Sequence, residues 1–437
     1  MAVTTFFVDP DSSVLTSDGS VARPWSSLDW AAVDAALARG NVTVFFSARA
    51  AGADTNQLSG DLLALSRTDD GPSRLVLDGI SQFNADDASP RWEPNTGASR
   101  ATFRGASTTE AKVKRSHLTL RGFELANARA QGVYYEAGDD VVLEDLVIHD
   151  NGSSPAIFFD YANRSGLRST GITIRNCHLY SITGECIYIG GVENTGGAAH
   201  DGVLIENNLI RECGARQRNG DDWDGINIKD QLSNVVVRRN VIKDAYRGMQ
   251  ITSSDLIIEH NLVIDTQNAS IVLGGGWSRG ISAATRVAHN VLVRGTTAGV
   301  YLDADTDAAT GPLISHNTII GAIGTPGAGL HFAGNAGLTA TAQANVVTDC
   351  ATGVDGWGQA AVEFDACVFW RNTSDTRRAM SGGSAERCTS VDPRYVDAQQ
   401  LAGDDHVFFT ADDGWLPTAP QVLHGELDGG SLGASLE

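Results

Sequence analysis

Short apolar segments recur along the chain, each followed by an asparagine and a further apolar pair: VLIENNLI, VVVRRNVI, LIIEHNLVI, RVAHNVLV, LISHNTII and TAQANVV. The shared asparagines, Asn208, Asn240, Asn261, Asn290, Asn317 and Asn345, stand 32, 21, 29, 27 and 28 residues apart. Earlier copies occur at HLTLRGFEL, VVLEDLVI and ITIRNCHLY, and a second short strand follows each copy, as in GVYYEAG, CIYIGGV, GINIKDQ, GMQITSS and GVYLDAD. A period of this length carrying two or three strands, without helical periodicity, predicts a solenoid whose coils bury their faces against one another. Stacked about 4.8 Å apart, the asparagine amides would hydrogen-bond along the axis and satisfy polar groups turned inward at a corner. The expected fold is all-β, a single-stranded right-handed parallel β-helix.

The ends break the pattern, as the ends of a solenoid must when they cap an exposed core. Residues 1–100 hold FFVDP, SDGS, RPW and the helical stretch AAVDAALARG, and are expected to form an N-terminal helical cap with the first irregular coils. Residues 101–370 carry the β-helix. Residues 371–437 lose the period and are expected to run back along the barrel as a C-terminal layer.

Aligning the second strand of each coil puts alternate residues on the outer face. One outward column reads Tyr134, Phe158, Tyr188, Asn227, Gln250, Val272, Tyr301, His331; the next reads Glu136, Asp160, Gly190, Lys229, Thr252, Gly274, Asp303, Ala333. Aromatic rings beside small residues and isolated charges suit a saccharide groove better than a repetitive solvated face. Lys229 is the one cation of its column, and Gly190 leaves room above it. Glu185, Asp224 and Arg247 precede their strands on successive coils, so two carboxylates and a guanidinium should line up. The segment ARQRNGDDWDG adds Arg216, Arg218, Asp221, Asp222 and Trp223.

Composition narrows the partners. Lys and Arg total 32 against 53 Asp and Glu in 437 residues, a formal charge of −21 that disfavours phosphate backbones and anionic lipid. A local group of Arg216, Arg218, Lys229, Arg238 and Arg247 is expected to invert that potential inside one groove. No apolar run reaches the roughly 18 residues of a membrane span. Six cysteines without a CxxC pair read as buried thiols rather than a disulfide scaffold. The column His260, His289, His316 reads as solvated imidazoles on a flank, not as a metal site.

The asparagine ladder, the coil period and the opening FFVDP…SDGS…RPW resemble the pectate-lyase-like superfamily of right-handed parallel β-helices. DGINIK followed by NVVVRRNVI resembles the segment of family 9 pectate lyases in which an Asp before Gly binds Ca²⁺, which implies calcium at Asp224; the family's second acidic cluster is replaced here by DAYRGMQ. The Lys and Arg on nearby coils also resemble the alginate and chondroitin lyases of family 6.

The sequence therefore leads to a polysaccharide lyase acting on a uronic-acid-containing chain. Lys229 is the expected base and Arg247 the charge stabiliser, with Ca²⁺ at Glu185, Asp221, Asp222 and Asp224 as a possible cofactor. Tyr134, Tyr188, Trp223, Asn227, Gln250, Tyr301, Arg216 and Arg218 are the expected substrate contacts. A glycoside hydrolase using a pair among the same carboxylates, or a non-catalytic carbohydrate-binding solenoid, is the alternative. The expected partner is an anionic polysaccharide, with no nucleic acid and no membrane; the chain is expected to be secreted and a monomer rather than a trimer.

Overall fold

The structure, a computed structural model, describes residues 3–9, 16–46, 63–66, 71–79, 101–104, 111–152, 155–159, 169–190, 201–214, 223–229, 232–253, 255–274, 284–304, 310–334, 338–356, 361–376, 385–397, 401, 413–419 and 434. Their strands form three parallel sheets of 14, 11 and 12 strands, referred to below as the first, second and third. The chain visits the sheets in that order and climbs one rung per coil, so that Val141–Glu144 pairs in register with Leu118–Arg121 below and Ile172–Arg175 above. The first sheet starts at Val3–Val8 and ends at Ala385–Glu386, so parallel stacking extends on both sides of residues 101–370.

Strand alternation fills the interior. Ile187, Ile189, Ile226, Ile228, Met249 and Ile251 of three successive third-sheet strands are buried in one continuous core. Each such side chain contributes roughly 1.5–3 kcal/mol on burial. Corners between first and second sheets require a left-handed residue: Asn207, Arg239, His260, His289, His316 and Ala344 have φ of 53–56°. Asparagine and histidine tolerate that conformation better than most side chains. The ladder asparagine follows each one. Asn261 Nδ2 donates to Asn290 Oδ1 (3.0 Å) and to the carbonyls of Val237 and Glu259, while its Oδ1 accepts from the backbone N–H and Nδ2 of Asn240. The same pattern runs from Asn208 to Asn345. A cysteine occupies the ladder position at each end: the Cys177 N–H donates to Asn208 Oδ1, and Asn345 Nδ2 lies 3.9 Å from Cys367 Sγ.

The helix Trp30–Leu37, N-capped by Asp29, buries Val33, Ala36 and Leu37 at the N-terminal end of the core. On the opposite side of the chain's order, Leu401, Trp415 and Ala434 pack over the outer face of the second sheet on Val241, Leu262, Ile264, Val291, Val293 and Ile320. No helix among the described residues is long and apolar enough to cross a membrane.

Two expectations are corrected. Cys186 and Cys213 form a disulfide, because the end of a second-sheet strand meets the start of the preceding coil's third-sheet strand at one corner, where the Gly214 N–H donates to the carbonyls of Ile182 and Gly184. Cys177, Cys350 and Cys367 are buried thiols, as expected. The histidine column is half-buried rather than fully solvated, and its rings stack at 4.9 and 4.8 Å. Burial and the flanking His316 and His260 push His289 down to about 4.

Candidate active site

The outer face of the third sheet carries the first expected column in register, and Asp160 of the second lies outside the described residues. Tyr134, Phe158, Tyr188, Asn227, Gln250, Val272, Tyr301 and His331 are successive partners, and Asp355 follows His331. Tyr134, Phe158 and Tyr188 are half-buried and lean on one another, with centroids 5.6 and 5.3 Å apart at 51° and 47°. Rung spacing equals the distance at which rings attract, so these side chains contact each other as well as the groove.

Asp224 begins the strand Asp224–Ile228 and Arg247 begins Arg247–Ile251, and the two residues are register partners. Glu185 lies one coil before Asp224, where the Cys186 N–H donates to the Asp224 carbonyl. Positions 185, 224, 247 and 229 therefore share one wall, although its carboxylates are not exposed. Asp224 is 0% and Glu185 8% accessible.

The wall is tied together by hydrogen bonds. Asn227 Nδ2 donates to Asp224 Oδ2 at 2.8 Å and also contacts the Glu185 carboxylate, so one amide bridges both acids. Arg247 Nη1 lies 3.5 Å from Asp224 Oδ1 and donates to Gln250 Oε1 at 2.7 Å. Its guanidinium sits over the ring of Tyr246, 5.1 Å from the centroid, and the Tyr246 hydroxyl accepts from Asn268 Nδ2. Tyr246 and Asn268 were not singled out in the sequence; the adjacency of Tyr246 to Arg247 was the available signal.

Lys229 follows this strand and is half-buried. Gly190 on the preceding coil has φ of +122°, and a Cβ there would come within 2.6 Å of Lys229 Cβ, so only glycine leaves the lysine its place. Thr252 closes the other side, its N–H donating to the Ile228 carbonyl. Burial pushes the Glu185 carboxyl above its usual range, and the charge of Lys229 and the Asn227 amide oppose that rise. Two atoms facing this region, Asn227 Oδ1 and Trp223 Nε1, are buried and find no hydrogen-bond partner among the described residues.

Arg216, Arg218, Asp221 and Asp222 lie outside the described residues. Arg238 does not join the group: it belongs to the first sheet, where its Nε and Nη2 hold Glu206 at 2.9 and 2.8 Å. Alternation told inward from outward but not which sheet's outer face a residue joins. Of the four expected calcium ligands, Glu185 and Asp224 lie among the described residues, and the Asp224 oxygens meet the Asn227 amide and the Arg247 guanidinium. No group of three His, Cys, Asp or Glu among the described residues is disposed to hold a metal.

The family model described as "Right handed beta helix region" matches residues 166–307. The chain is a right-handed parallel β-helix. Among solved structures it is similar to the A-module of the mannuronan C-5 epimerase AlgE6 of Azotobacter vinelandii, at 13% identity and a TM-score of 0.45 over 83% of this chain and 94% of that one. It is also similar to an alginate lyase from Paenibacillus sp. str. FPU-7 (12%, 0.42, 89% and 99%). A third is the catalytic unit of the GH87 α-1,3-glucanase from Streptomyces thermodiastaticus strain HF3-3 (14%, 0.45, 88% and 69%). No curated protein matches the chain.

Proposed function

We propose that the chain is a carbohydrate-active enzyme and, more narrowly, a polysaccharide lyase that cleaves a uronic-acid-containing chain by β-elimination. One observation carries this reading. An amine, Lys229, and a guanidinium, Arg247, flank one buried pair of carboxylates on neighbouring coils of a single outer face.

β-Elimination removes the proton α to the uronate carboxylate, so it needs a base and a cation where charge develops. Arg247, held by Asp224 and Gln250, is the guanidinium placed to meet the charge that develops on the uronate carboxylate. Lys229 Nζ, as the free amine, takes the C5 proton; that electron pair forms the C4=C5 bond as the C4–O bond breaks. The leaving oxygen then takes the proton back from the Lys229 ammonium. Tyr134, Tyr188, Gln250 and Tyr301 line the path of the neighbouring sugars. A location outside the cytoplasm belongs to the same proposal, since the Cys186–Cys213 disulfide suits an oxidising compartment.

A second reading has its own support. Glu185, driven toward its protonated form, and Asp224, beside Arg247, make an acid and base pair of the kind that hydrolyses glycosides. Incubation with a panel of uronans separates the two. A lyase yields chain ends that absorb in the ultraviolet through the new double bond. New reducing ends without that absorbance overturn the lyase in favour of the hydrolase.

A further inference from the structure

The asparagine ladder ends in sulfur. From Asn208 to Asn345 each side-chain amide ties one coil to the next, and the following rung places Cys367 at that position, with Sγ 3.9 Å from Asn345 Nδ2. The coil after it repeats the cysteine. Phe364 pairs with Ala385, Asp365 with Glu386 and Val368 with Thr389, one constant offset that makes Cys388 the register partner of Cys367. The Thr389 N–H donates to the Cys367 carbonyl at 2.9 Å, which holds the register beside the pair.

Register partners on adjacent parallel rungs stand about 4.8 Å apart, inside the Cα separation of roughly 4.4–6.8 Å that a disulfide spans. The two thiols already touch. A hydrogen bond from the Cys367 thiol lowers Cys388 to about 7 against the effect of burial, and the same contact together with burial raises Cys367 well above the ordinary thiol range. Cys367 is fully buried and Cys388 half-buried, so Cys388 is the member of the pair that an outside reagent reaches. The strand Ala385–Glu386 is the last of the first sheet. A terminal coil is supported from one side, and opening starts at such ends. Sulfur is a weak hydrogen-bond partner, so a thiol pair holds this rung less firmly than the amides hold theirs.

We propose that Cys367 and Cys388 are a dithiol that closes to a second disulfide in an oxidising compartment and staples the last rung to the coil beneath it. The oxidant is a small-molecule disulfide. Cys388, its proton lost to solvent, attacks one sulfur of that disulfide; a new S–S bond forms as the old one breaks, and the first thiolate leaves and takes a proton from solvent. The Cys367 sulfur then attacks Cys388, its own proton passing to the second departing thiol. Two protein thiols are oxidised and one external disulfide is reduced to two thiols. Cys177 and Cys350 stay as thiols, since the residue that meets each from the following coil is an asparagine, Asn208 or Asn372.

The test takes the full chain after incubation with oxidised glutathione, alkylates it in denaturant and maps its peptides by mass spectrometry. A peptide pair joining Cys367 to Cys388 is expected, with Cys177 and Cys350 the two alkylated cysteines. Alkylation of Cys367 and Cys388 as well, or glutathione held on Cys388 without the cross-link, overturns the disulfide. The cross-link is read on the parent, whose fold no substitution disturbs. Hydrogen exchange tests the staple: the Thr389 amide should exchange at least about tenfold more slowly in the oxidised chain than in the reduced one. Cys388→Ser keeps Cys186–Cys213 and should lose that difference. The same redox difference in the variant, or none in the parent, overturns the staple.

Discussion

Glu185 carries a carboxyl into a buried wall. Its carboxyl is raised by burial, against the pull of Lys229 and Asn227. An acid with a raised folded value contributes stability that is fully present below its unfolded value of 4.5 and is lost as pH rises through the folded value. Glu185→Gln keeps the neutral shape, so the variant's unfolding midpoint should gain on the parent's between pH 4.5 and neutrality and coincide with it at lower pH. Denaturant titrations across that range test this, and parallel curves would contradict the assigned burial. The ladder asparagines make the opposite case, since every polar atom is paired. Asn261→Ala removes three donated hydrogen bonds and strands the backbone N–H of Asn240 in the core, while Asn240 Nδ2 keeps the carbonyls of Ile205 and Arg238. At about 1–3 kcal/mol for each buried group left unsatisfied, the loss should be about 3 kcal/mol or more by denaturant midpoint; a loss under about 1 kcal/mol would mean that water or a rearranged corner replaces the amide.

The coil was the most legible element. Its inner positions accept only apolar side chains, and its corner demands the same asparagine each time, so both signals recur and reinforce one another. Aligning strands by that period placed Tyr188, Asn227 and Gln250 in one column, and the sheet pairs them in that register. What the period could not reveal lies between coils. Cys186 and Cys213 meet because a corner folds back, and Arg238 misses the site because it stands on the first sheet's outer face. Local strand patterns carry neither fact. Burial of Asp224 was equally hidden, since it stands first in its strand, at a corner where strand alternation does not say what closes over it.

For the whole molecule, the second sheet needs its cover. Val241, Leu262, Ile264, Val291, Val293 and Ile320 are apolar on the outer face, and Trp415, whose Nε1 donates to Asp413 Oδ2 at 2.9 Å, seals them. Trp415→Ala should cost about 3–5 kcal/mol and expose a patch prone to self-association, seen as a lower unfolding midpoint with rising light scattering; an unchanged midpoint would show that the C-terminal layer adds no stability. The third sheet's outer face is left for chemistry, and the two faces divide the barrel between covering and binding.

The central claim is that Lys229, in the space left by Gly190 and beside Glu185, is the base of an elimination reaction. The most direct measurement compares the parent chain and Lys229→Ala on a uronan panel, following ultraviolet absorbance of the unsaturated product, with circular dichroism to confirm the fold. The account predicts absorbance with the parent and a loss of about two to four orders of magnitude in rate with the variant. Turnover of Lys229→Ala within a few-fold of the parent, or cleavage by the parent without the new absorbance, would contradict it.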